Sequence, residues 1–175
     1  MPHFSNSKIL SRVSKAKIYV IDNWKEGIYL EDKIGKPLDE IIKKVAIDRF
    51  QFARSFLRDA RILRNQTPPS YRSSISRYYY SMYHAIRSAA YIHYGGDDHE
   101  EHKALPGKIP IDFPNYQNWA NELKNARERR NHADYEPYPK TSIDWKTIAN
   151  DLENKCIILN KEVKNYLIQN GCLIK

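Results

Sequence analysis

SSISRYYYSMYHAIRSAAYIHYGG, residues 73–96, is the stretch on which the fold turns. Ile75, Tyr79, Met82, Ile86, Ala89 and His93 recur in it at steps of three and four, the spacing that gathers side chains onto one stripe of an α-helix. The pair Gly95-Gly96 closes the pattern. On the other side NQTPP, residues 65–69, stops any helix arriving from upstream, because proline lacks an N–H and disfavours helix in the residue before it. The spacing therefore predicts a helix from about Ser70 to His93. A second stripe, Arg77, Tyr80, His84, Arg87 and Tyr91, lies on a different side. Rings interleaved with arginines can stack bases and hold phosphates; they equally make a polar seam or a dimer face.

Working outward, helical periodicity continues on both sides. Upstream, Leu38, Ile42, Val45, Phe52, Phe56, Ala60 and Leu63 form the expected inward stripe of a helix that starts after Pro37. The same helix carries Arg54, Arg58 and Arg61, with Arg64 beyond. Asp48 and Asp59 are close enough in sequence to pair with some of these arginines, so a solvated face is favoured over phosphate contact. Downstream, residues 97–115 form a long connection containing DDHEEH, which reads as an acidic surface loop rather than a metal site. A third helix from Tyr116 to about Asn131 points Trp119, Leu123 and Ala126 inward. A fourth from about Ser142 to Gln169 does the same with Ile148, Leu152, Leu159, Val163 and Tyr166. The expected fold is all-α, an antiparallel four- to five-helix bundle over residues 38–172. Residues 1–37 read as an N-terminal arm, in which a basic stretch, Lys8 to Lys17, leads into Ile18-Tyr19-Val20-Ile21 before Gly27, Gly35 and Pro37 interrupt.

Composition narrows the function classes. The chain has 175 residues, enough for one core, and a mean hydropathy of −0.73 with no apolar run near the roughly 20 residues of a membrane span. The first residues lack the apolar segment and cleavage site of a secretory signal, so a cytoplasmic protein is expected. Cys156 and Cys172 match no metal or redox spacing and read as reduced bystanders. A net charge of +8 favours a polyanionic partner.

The chemistry-bearing stretch is RERRNHADY, residues 127–135. Arg127, Arg130 and Asn131 stand three and four residues apart and can converge on one side of a helix. Arginine offers a permanently charged planar fork suited to a phosphate, and His132 can exchange a proton near neutral pH. Together they meet the minimum for metal-free RNA cleavage, with neither metal nor cofactor. Cations at a helix C-terminus are also simply favourable with the helix dipole.

The run RYYYSMYHA on the second helix, a histidine in the following loop and the late R-x4-H or R-x-x-A-D-Y ending resemble the HEPN domain, a helical module named for its occurrence in eukaryotic and prokaryotic nucleotide-binding proteins. The resemblance covers roughly residues 38–170. It implies a bundle that is commonly a homodimer, in which many members are metal-independent endoribonucleases. In active members the R-x4-6-H motifs of two protomers meet at the dimer axis, arginine stabilising the scissile phosphate and histidine moving protons. Members serve as toxins, often beside a nucleotidyltransferase-like antitoxin, and in antiviral defence. Two registers compete here. In one, Arg127 and His132 form R-x4-H and are the catalytic pair. In the other, Arg130-Asn131 is the R-N pair, the histidine position is Tyr135, and Ala133-Asp134-Tyr135 marks a branch in which a catalytic histidine is frequently absent. The resemblance thus implies either a toxin- or defence-type endoribonuclease or a non-catalytic module binding RNA or a partner protein. Arg130, Asn131, Asp134, Tyr135, Arg77 and His84 assist or contact RNA. Five residues on a regular helix turn through about 140° net. If the helix runs through Tyr135, then Arg127, Asn131 and Asp134 share a face and His132 points elsewhere; if it stops before His132, the cleavage pair can form.

Overall fold

The computed structural model of the chain describes residues 13–96, 101–140 and 143–174. Among these, the regular elements are all helical: α1 (Ile18–Ile34), α2 (Leu38–Asn65), α3 (Tyr71–His93), a 3-10 turn (Leu105–Lys108), α4 (Tyr116–Tyr135) and α5 (Trp145–Gln169). Of the stretches singled out above, Lys8 and the residues to 12, Asp97 to Glu100, and Ser142 lie outside the described residues. Internal contacts divide the chain into two units, 1–41 and 42–175, and each is described by itself.

In the first unit α1 runs straight through Gly27, where an interruption was expected. Its end falls at Gly35, whose φ of 67° is the left-handed conformation that lets the N–H bond back to the Glu31 carbonyl at 2.8 Å. The Glu31 carboxylate then accepts from the Leu38 N–H at 2.6 Å, satisfying one of the free donors at the start of α2. No residue of α1 is buried, Trp24 is half-buried, and Ile18, Tyr19, Ile28 and Tyr29 are exposed.

In the second unit side-chain pairs give the direction of each helix. Ser88 near the end of α3 donates to the Ala46 carbonyl near the start of α2, and Phe56 stacks on Tyr80, so α2 and α3 are antiparallel. Arg72 at the start of α3 reaches the Ala133 and Glu136 carbonyls at the end of α4, reversing direction again. Trp119 donates to Glu162 and Arg129 pairs with Asp151, which sets α5 antiparallel to α4. α3 and α5 run parallel and pack most extensively: the buried Cys156 thiol donates to the Tyr78 carbonyl, and Asn160 Nδ2 to Ser81 Oγ. Asp144 caps α5, accepting from the Lys146 and Thr147 N–H groups at 3.0 and 3.2 Å.

The core is built around α3, twelve of whose residues are buried, which explains why its sequence reads most clearly. The expected inward stripes hold on α4 and largely on α5, where Ile148 is only half-buried. On α3 His93 is exposed. On α2 the stripe is displaced: Ala46, Phe50, Ala53 and Ala60 are buried, whereas Phe52 is 51% exposed. The contacts of α2 with α3 include Ala46, whose carbonyl accepts from Ser88, and the rings of Phe52 and Phe56, which meet His84 and Tyr80. Trp119 is 5% exposed, its ring buried between α4 and α5. No described helix is long and apolar enough to cross a membrane.

Candidate functional site

α3, the link after it and α4 gather one cluster of arginines, tyrosines and histidines. Arg130 is its centre. Only 8% exposed, it lies with its guanidinium 5.1 Å from the Tyr79 ring centre, 5.5 Å from Tyr80 and 5.9 Å from Tyr135. It donates to the Tyr135 hydroxyl at 3.3 Å and stands 3.9 Å from the Asp134 carboxylate, which in turn accepts from Ser76 at 3.1 Å. Stacking on rings compensates a planar cation for lost water.

His102, in the link, sits in the same cluster. It stacks on Tyr83 with ring centres 4.0 Å apart, and its Nδ1 is 2.6 Å from the Tyr79 hydroxyl. Arg127 Nη1 donates to the His102 carbonyl at 3.3 Å. Burial, then the nearby Arg130, Arg87 and Arg127 charges, lower the His102 pKa below the ordinary histidine value. Burial pushes Tyr79 up to about 12 despite the opposing Arg130 charge, so its hydroxyl stays protonated and donates. His102 Nδ1 is then the acceptor, and the ring proton belongs on Nε2. His84 lies parallel to Phe56 at 5.3 Å with Phe52 at 4.7 Å. Burial first, then Arg87, His102 and Arg49, bring it down to about 4. Both imidazoles are therefore neutral at pH 7.

α4 does not stop before His132; it continues unbroken to Tyr135. Its last carbonyls are satisfied by a residue far away in sequence, since Arg72 donates to those of Ala133 and Glu136 at 2.7 Å each. Arg127 is consequently half-buried and turned toward His102, whereas His132 and Asn131 are exposed. The structure brings together Arg127, Arg130, Asp134, Tyr135 and His84, and leaves His132 and Asn131 outside the cluster. Arg77 is exposed and lies over Phe56 of α2 at 5.5 Å. His102, Tyr79 and Tyr83 had no role assigned from the sequence. For His102 a signal existed, its place as the loop histidine after α3. Cys156 and Cys172 are free thiols and buried.

An all-helical bundle with an arginine-bearing fourth helix is the class these observations define. A family model described as the HEPN domain matches residues 46–164, and the chain belongs to that family. HEPN domains often dimerise and bind nucleotides or RNA. No curated protein and no solved structure matches the chain.

Proposed function

We propose that the chain is an RNA-binding HEPN module whose RNA-facing centre is the cluster of Arg127, Arg87 and His102, and that a single chain holds RNA without cutting it. The observation that carries this reading is the continuity of α4 through Tyr135 with Arg130 buried beneath three tyrosine rings. Arg130 supports the aromatic wall from within. Arg127 and His132, five positions apart on an unbroken helix, are turned about 140° from each other and cannot serve one phosphate in one chain. Arg127 is the phosphate contact, neutral His102 donates a hydrogen bond from Nε2, and Asp134 and Tyr135 hold Arg130. A homodimer and a nucleotidyltransferase-like partner, within a toxin–antitoxin or defence pair in the cytoplasm, fit the same reading.

The exposure of His132 and Asn131 on the last turns of α4 favours a second reading. Two copies would assemble a metal-independent endoribonuclease, Arg127 of one facing His132 of the other. One experiment separates the two. The purified chain is incubated with mixed RNA in EDTA, and binding and cleavage are measured in parallel. Binding to intact RNA, weakened by Arg127→Ala and indifferent to His132→Ala, is the expected result. Cleavage that His132→Ala abolishes overturns it in favour of the nuclease.

A further inference from the structure

The arginines on the far side of α2 border a groove of their own. Arg54, Arg58 and Arg61 stand at steps of four and three along α2, Lys161 and Lys164 face them from α5, and together they line a groove of about 960 Å³. None of these residues belongs to the Arg130 cluster. The acidic neighbours do not neutralise the row: Asp48 pairs with Lys44, and only Arg61 is engaged, with Glu153 at 2.8 Å. Among the described residues, Arg58, Lys161 and Lys164 face no carboxylate at ion-pair distance. The groove wall also includes Asn160, 7% exposed, whose Nδ2 is used by Ser81 and the Cys156 carbonyl and whose Oδ1 has no hydrogen-bond partner. Ile62, 60% exposed, adds an apolar surface.

We infer that this groove binds the sugar–phosphate backbone of single-stranded RNA, as a second contact beyond the α4 cluster; this rests on the RNA-binding reading above. Cations on two facing helices, with none of the groove-lining side chains acidic, call for a polyanion. Arg54 and Arg58 are about 6 Å apart along the helix axis, a step that suits successive phosphates of an extended strand. A wall that adds an unfilled acceptor and an aliphatic side chain asks more of the ligand than charge. A nucleotide meets both demands, since a base amine or 2′-hydroxyl donates to Asn160 and a sugar or base face covers Ile62. Inorganic polyphosphate meets neither.

The test is fluorescence anisotropy with a labelled single-stranded 12-mer RNA at several salt concentrations. The variants are Arg58→Glu with Lys161→Glu, the milder Arg58→Gln with Lys161→Gln, and Arg127→Ala, each checked for native helicity and melting. The groove pairs are expected to weaken binding at least about tenfold and to lower the salt dependence by between one and two counterions, close to the −0.7 per phosphate of single strands. Unlabelled inorganic polyphosphate of matched length is expected to compete less well than RNA. Groove variants that bind as the wild type does, while Arg127→Ala fails, overturn the groove and leave the α4 reading standing. No RNA binding by the wild type overturns both. Polyphosphate competing as well as RNA overturns the assignment to RNA.

Discussion

Arg130 is buried where a phosphate-binding arginine would be exposed, and its removal tests what it does. A desolvated cation over an aromatic face contributes up to about 2 kcal/mol. Arg130→Ala is therefore expected to cost about 2–3 kcal/mol in chemical denaturation, and Arg130→Lys most of that, since an ammonium cannot stack as a plane. His84 makes a second prediction. Its pKa falls from 6.5 in the unfolded chain to about 4 when folded, so the folded state binds fewer protons between those values and stability rises with pH across that window. The contribution of neutral His84 is complete above about pH 6.5 and is lost as pH falls toward 4. Denaturation midpoints at pH 7 and pH 5 should differ, and His84→Phe should narrow the difference while keeping the stack on Phe56. At this scale the sequence pointed to a stretch of arginines and left their roles open. Whether Arg130 is a ligand contact or a buried strut depends on Tyr79 and Tyr80, fifty residues earlier, and no local pattern reports that. For His102 the sequence signalled only a loop histidine and not its role, because its partners Tyr79 and Tyr83 lie on another element.

The length of α4 separates the two functional readings, and a contact distant in sequence sets it. Local pattern predicts an end near Asn131; Arg72 extends it to Tyr135 by taking carbonyls that would otherwise need water or a cap. Arg72→Ala is expected to fray the last turn, seen as faster amide exchange over residues 132–136, at a cost of about 1–2 kcal/mol. The starts of α2, α3 and α4 and the end of α5 were legible because Pro37, the NQTPP break and apolar periodicity are local signals. The buried face of α2 was not. Large apolar residues were taken as the core side, yet three of its four buried residues are the alanines Ala46, Ala53 and Ala60, and Phe52 is half exposed while it packs on His84 of α3. The arginine row of α2 could not be read as a groove from sequence, because its facing wall, Lys161 and Lys164, lies a hundred residues later.

For the whole molecule, the charge of +8 acquires an address. Arg127 and Arg87 concentrate it beside the link, and the α2–α5 groove gathers a separate share, so the logarithm of RNA affinity should fall linearly with the logarithm of salt concentration. The same whole-molecule arrangement has a spectroscopic consequence. The three tryptophans occupy different surroundings: Trp24 on α1, where nothing is buried; Trp119 sealed between α4 and α5 with its N–H on Glu162 at 2.6 Å; and Trp145 beneath the Arg72 guanidinium at 5.3 Å. Each is thus a light-emitting reporter of a different event. Trp24 reports on the N-terminal helix, Trp119 on the opening of the bundle, and Trp145 on the clamp that holds the end of α4. Single-tryptophan versions of the chain can therefore time those three events separately, without any added dye.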